Sequence, residues 1–375
     1  GAVAPNSSVL LGLRAALGFG QAITEPAAAS LIADYYPLDR RGRAFAIQQI
    51  MLIMGIGIGV GVGGFAASQW GWQSGFLIAG APGLLVAVVA YRLREPGRGE
   101  ADRIHVGATG GAVGADVTQA ASPLADGLGP FLRDMWVGLK ADLRTIAAIP
   151  TMRYSLVGVA ALQFSVFAIS SWLPQFYERQ LGVDAEQAEG WFTLLIIAGG
   201  VPGILLGGRL ADHYANRIKG ARVAIPAYCI LVGTTFFTLS YIPGISFAAA
   251  FALELVGIFV LVMSIPALRA GLTDALPANL RGAGFGAFNI VTVLLGAAMA
   301  PLLVSALSDI FDENLRTAFL IVTPPVYIGS WVLLKARDHL DRDAAKIFEA
   351  IVKAMQEQQE REQVATERRE PTPPA

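Results

Sequence analysis

From Ala44 to Tyr91 the chain runs without a single charged residue. Water gives a soluble fold no reason for so long a neutral stretch, but a bilayer imposes one. A spanning helix needs about 20 mostly apolar residues, and backbone groups cut off from water must bond within their own helix. The stretch reads as two spans joined by the tight turn Gln69-Trp70-Gly71-Trp72, whose tryptophans suit a membrane interface. Seven further segments obey the same rule, giving nine in all: roughly 9–36, 44–69, 72–93, 152–177, 190–211, 221–242, 245–269, 283–307 and 316–336. The expected fold class is all-α and polytopic. Only 15% of the residues are charged, against about 25% in soluble domains, so lipid is the expected solvent.

The chain also writes one passage twice. Sliding it by 240 residues lays Pro26-Ala27 on Pro266-Ala267. The same shift lays Asp34-x-x-Pro37-x-x-x-Arg41-Gly42-x-x-Phe45 on Asp274-x-x-Pro277-x-x-x-Arg281-Gly282-x-x-Phe285. In that register the charge Arg14 of the first copy meets the charge Glu254 of the second. A repeat built from hydrophobic hairpins marks a carrier of two similar halves. Spans 152–242 have no counterparts before the first copy, so the expectation is a twelve-helix protein without its first three helices. A true nine-helix protein is the alternative.

Lys and Arg alternate between connections. The first holds Arg40, Arg41 and Arg43; the second holds none; the third is rich in them, and the alternation continues to the basic tail. The positive-inside rule then puts odd-numbered loops and the C-terminus in the cytoplasm, and the expected location is a bacterial inner membrane. Four regions follow: residues 1–96 as three spans, 97–150 as a cytoplasmic connection, 151–337 as six spans, and 338–375 as a charged tail. Within the connection, 97–129 is a Gly/Ala-rich linker, and 130–146 alternates apolar and charged residues as an amphipathic helix on the membrane surface. Net charge is −1, which argues against a nucleic-acid partner. A single cysteine and three scattered histidines suggest neither disulfide nor metal site, and no cofactor is expected.

These residues resemble the major facilitator superfamily, most closely its spinster-like branch. The likeness is carried by Arg14-Ala-Ala-Leu-Gly18-x-Gly20-Gln21-Ala22, Ser30-Leu-Ile-Ala-Asp34-Tyr-Tyr-Pro37, Arg40-Arg41-Gly42-Arg43-Ala44, Gly71-Trp72 and Arg94-Glu95-Pro96. In the second half it is carried by Ile149-Pro-Thr-x-Arg153-Tyr154, Ser171-Trp-Leu-Pro174, Gly208-x-Leu-Ala-Asp212 and Leu307-Ser-Asp309. The resemblance implies helices four to twelve of a two-bundle fold that alternates access to a central cavity. It also implies an amphiphilic or lipid-like small-molecule substrate; the alternatives are a small organic anion, drug or metabolite, or a truncated membrane fragment that does not transport. Gln21 departs from the Glu usual at its place in that branch. Gln cannot titrate, which bears on proton coupling, although Glu25 lies one turn further on the same face.

Arg14, Gly18, Gln21 and Glu25 are spaced i, i+4, i+7 and i+11, one stripe of one helix. A charge at mid-bilayer costs about 2.5–3.5 kcal/mol on insertion scales, so the stripe is expected to face the cavity. Arg14 is a candidate for holding an anionic group; snorkelling to the interface is the bland reading. Glu254, the sole charge in 223–268, is a candidate proton carrier, with a fixed salt bridge to Arg14 as the competing reading. Gln163, Gln48, Gln49 and Asn289 are candidate lining residues, and Gln49 and Asn289 are repeat mates. Each alone is more often a helix–helix hydrogen bond. At the cytoplasmic helix ends, Asp34 with Arg41 and Arg43, Asp274 with Arg281, and Asp212 are expected to form a gate of ion pairs. Gly59-x-Gly61-x-x-Gly64 matches a dinucleotide fingerprint only by letter, because it lies inside a span; with Gly55 and Gly63 it reads as a packing stripe. No Ser/Lys, His/Asp or metal constellation inside the spans supports an intramembrane enzyme.

Overall fold

The computed structural model describes residues 6–93, 96–97, 99–105, 128–215 and 217–367. Arg94 and Glu95, residues 106–127 of the linker and Pro371–Ala375 lie outside the described residues, as do the side chains of Ile351 and Met355. Every described element is helical: α1 (Ser7–Tyr35), α2 (Arg41–Trp70), α3 (Trp72–Tyr91), α4 (Glu100–His105), α5 (Leu128–Ala148), α6 (Pro150–Leu181), α7 (Ala185–Leu195), α8 (Val201–Tyr214), α9 (Ala221–Ser240), α10 (Phe247–Asp274), α11 (Arg281–Val291), α12 (Met299–Ile310) and α13 (Leu315–Glu367). π-helical turns at Ile196–Gly200 and Thr292–Ala298 join α7 to α8 and α11 to α12.

Seven of these rods, counting each π-joined pair as one, are long and apolar enough to cross a membrane. The helices α1 and α2 stand outside those seven, although 29 and 30 residues at about 1.5 Å each also exceed a hydrocarbon core. The α3 window is 0% buried, with Leu77, Leu84, Leu85, Val86 and Val88 all exposed. So continuous an apolar face would promote aggregation in water; in lipid it is an ordinary outer wall. The last helix, α13, continues unbroken through the charged sequence beyond Lys335.

The repeat survives into backbone detail. Asn6 caps α1 by accepting from Val9 N–H, and Ser246, 240 residues later, caps α10 by accepting from Ala249 N–H. Pro26 lies inside α1 as Pro266 lies inside α10. Pro37 precedes a 3₁₀ turn at Leu38–Arg40, and Pro277 precedes one at Ala278–Leu280. Arg41 and Arg281 then open the next helices.

Packing makes the copies symmetric partners. The pairs α1–α11 and α2–α10, mates under the shift, are both in contact. Phe45 stacks on its own mate Phe285 with ring centroids 6.2 Å apart. A residue touches its mate only on the axis that relates the copies, so a pseudo-twofold passes between these rings. Gly42 and Gly208 bring α2 and α8 together: a Cβ on Gly42 would lie 2.7 Å from Gly208 O, and one on Gly208 would lie 2.7 Å from Gly42 O. A Cβ on Gly55 or Gly59 would meet nothing within 4 Å; the surroundings of Gly61, Gly63 and Gly64, the rest of the stripe expected in α2, lie outside the described residues.

Candidate functional site

Between the copies lies a cavity of about 640 Å³. Gln21, Glu25, Gln49, Gln163 and Asn289 all face it, together with apolar residues such as Leu52, Phe167, Phe192 and Phe288. Both π-helical turns reach it, through Ile196, Gly200 and Thr292. An extra residue in a helical turn breaks the regular side-chain spacing and is common at functional sites. Nothing in the spacing of either segment announces the turn.

Arg269, near the end of α10, also lies in this wall. It donates from Nη1 to Glu25 Oε1, so the pair joins α10 to α1 across the cavity. Its guanidinium carbon sits 5.3 Å from the centre of the Phe288 ring, a cation–π distance. Only 8% of Arg269 is exposed, and its buried Nε has no hydrogen-bond partner among the described residues.

The structure places Arg14 and Glu254 away from that wall. Arg14 is exposed on α1, with its guanidinium 5.7 Å from the Phe76 ring centre. Glu254 is fully buried, accepting from Tyr177 OH and from Ser240 Oγ, the latter at 2.8 Å. The two charges do not pair with each other: both carboxylate oxygens of Glu254 are taken by hydroxyls from α6 and α9. Tyr177→Phe removes one donor from this buried carboxylate and is expected to cost about 1–3 kcal/mol. Thermal unfolding in detergent reads the loss, and an unchanged midpoint rejects the network as a stabilising element.

At one end of the cavity the candidate gate residues converge, but the pairs are crossed. Arg41 reaches Asp274 at 3.1 Å, and Arg281 reaches Asp34 at 3.0 Å. Each arginine therefore binds the aspartate of the other copy. The near side of Arg41 is occupied: Nη2 donates to Ala33 O at 2.7 Å and Nε to Tyr36 O at 3.2 Å, which satisfies carbonyls at the end of α1. Asp34 accepts from Gly99 N–H at 2.8 Å, leaving room for Arg281.

Two residues join this cluster without having been singled out in sequence. Asp102, on the short α4, pairs with both Arg41 and Arg281. One carboxylate can reach both mates because it stands at the pseudo-axis. Arg222, at the start of α9, pairs with Asp274, contacts Asp212 at 3.7 Å and donates to Leu38 O. Asp212 accepts from the N–H groups of Gly42 and Arg43 at 2.8 and 3.0 Å. A carboxylate from α8 thus sits on the positive end of α2. Arg43 completes the set at 3.3 Å from Asp212, with its own side chain 57% exposed.

A family profile described as Major Facilitator Superfamily matches residues 1–301. The niacin transporter NiaP of Acinetobacter baylyi is 26% identical over 251 residues, which is 64% of this chain and 55% of that protein. Protein spinster homolog 3 of Homo sapiens is 23% identical over 376 residues, covering 93% of this chain and 69% of that protein. The solved structure of the proton:xylose symporter XylE bound to 6-bromo-6-deoxy-D-glucose matches with a TM-score of 0.56 at 16% identity, over 82% of this chain and 66% of that one. That last likeness is one of fold. The chain spans about half the length of the first curated relatives it matches.

Proposed function

The chain belongs to the major facilitator superfamily, a family of membrane transporters, and we propose that it forms the solute pathway of a secondary active carrier working by alternating access. The observation that carries this reading is the cavity between two symmetry-mated copies, shut at one end by crossed ion pairs. Alternating access needs a central site and a barrier that can exist in two states. The cavity supplies the first, and the Arg41–Asp274 and Arg281–Asp34 pairs supply the second. We place the ion-pair end at the cytoplasmic face of a bacterial inner membrane, on the alternation of Lys and Arg among the loops.

The substrate is an amphiphilic small molecule. Four uncharged amide side chains, the hydroxyls of Ser170 and Thr292 and one ion pair give polar contact in an otherwise apolar lining, which suits one polar end on an apolar body. A small organic anion is the second reading, favoured by Arg269. Proton coupling, where present, runs through Glu25, the one carboxylate among the described lining residues. The test is uptake into liposomes driven by a pH gradient, with sphingoid and lysolipid compounds beside small organic acids. Gln49→Leu and Asn289→Leu, which remove mated polar groups, are each expected to lower the apparent affinity of the transported compound about ten-fold. Uptake that ignores both substitutions removes the cavity from the pathway, and uptake indifferent to the pH gradient removes the proton.

A further inference from the structure

We infer that Arg269 is the anchor for a substrate carboxylate, which exchanges with Glu25 on the guanidinium when the cavity fills. The inference rests on the transporter reading of this cavity and narrows its substrate to carboxylic acids with an apolar body. An arginine presents a planar fork matched to two carboxylate oxygens. Here Glu25 Oε1 engages Nη1, while the buried Nε is left without a partner. A buried donor left unmatched in a native site points to a missing acceptor. The cavity is the direction from which that acceptor can come, since Arg269 and Glu25 both face it.

The surroundings select the ligand class. Arg269 is the one cation among the described lining residues and Glu25 the one anion, so the empty cavity is neutral. A substrate amine would have to displace Arg269 from Glu25, and that guanidinium is the more deeply buried of the pair, its side chain 10% exposed against 27% for Glu25. A carboxylate instead replaces one anion with another at the same cation. Phe288 covers one side of the guanidinium, and Ile265 and Leu268 from α10 stand in the same wall. An aromatic or aliphatic body can lie there while the acid group is held. The exchange also releases α1 from α10, because the Glu25–Arg269 pair is itself a tie between the two copies.

Isothermal titration of the purified chain in lipid nanodiscs tests this without requiring transport. The probes are benzoate, phenylacetate and octanoate, each beside its own amide. At least one acid is expected to bind ten-fold or more tightly than its amide. Glu25→Gln removes the competitor and is expected to strengthen acid binding several-fold. Arg269→Gln is expected to bring the acid down to the level of its amide. The double variant Glu25→Gln with Arg269→Gln leaves no charge unpaired, so it reports the same loss should the single arginine variant fail to fold. Amides binding as well as acids throughout, a double variant that keeps the acid preference, or no acid binding to the native chain overturns the assignment. Uptake of a neutral solute in liposomes alongside any of those results leaves the carrier reading standing.

Discussion

Arg41→Gln is expected to open the ion-pair end of the cavity and abolish coupled uptake. The native side chain is fully buried and holds Asp274, Asp102 and two carbonyls of α1 at once. Breaking a buried pair by removing one partner costs about 3–5 kcal/mol, because the other charge stays behind. At about 1.4 kcal/mol per factor of ten, that penalty moves a two-state equilibrium by more than a hundred-fold. It falls on the closed arrangement, since water reaches the aspartates once the helix ends part. Arg43→Gln is the control: its side chain is 57% exposed and meets Asp212 at 3.3 Å, and exposed pairs contribute about 0–1 kcal/mol. Cys229 is the single cysteine and is buried, so a Cys229→Ala background with cysteine at Gln49 makes the cavity a labelling target. An impermeant maleimide added from the ion-pair side should react far faster in Arg41→Gln than in Arg43→Gln. Equal rates would remove the cluster from gating. Arg41→Gln combined with Asp102→Asn removes one charge of each sign, and its recovery of folding without recovery of closure separates the latch from general stability.

The crossing of those pairs marks what sequence reading could not reach. Identical residues at a fixed shift disclose the repeat, because an offset of 240 is visible in letters alone. Where the axis runs is not written in the letters, so Arg41 reads as the partner of its near neighbour Asp34 rather than of Asp274. Arg222 and Arg269 lie near span ends, where a buried arginine and one snorkelling to the interface have the same sequence surroundings. Both are buried. Asp102 stands in a polar linker among other acids, and only the fold brings it between two arginines. Glu254 misled in the opposite direction. A lone acid in a span suggests a water-filled path, but hydroxyls from Tyr177 and Ser240 satisfy it inside the helix packing. The polar stripe of α1 was legible as far as Gln21 and Glu25, and Arg14 lies beyond the cavity.

Gly208→Val is expected to reach the same open state by a route that leaves every charge in place. Gly208 faces Gly42 where α8 crosses α2, and a Cβ there would stand 2.7 Å from both Ala46 Cβ and Gly42 O. A backbone oxygen cannot rotate away, so the helices must separate. Overpacking of this kind costs about 1–3 kcal/mol. Separation also draws Asp212 from the N–H groups of Gly42 and Arg43, which adds to the bias. The strain exists only while α2 and α8 touch, so opening relieves it. Gly207 offers the contrast: a Cβ there would press on the Met263 backbone of α10 rather than on α2. Gly207→Val should therefore lower the thermal midpoint without speeding maleimide labelling at position 49, and Gly208→Val should do the reverse. Combined with Arg41→Gln, Gly208→Val should add little, since a gate already open has no contact left to strain. Fully additive labelling in that double variant would show that the wedge and the ion pairs act on different movements, and the single closing surface inferred from the crossed pairs would fail.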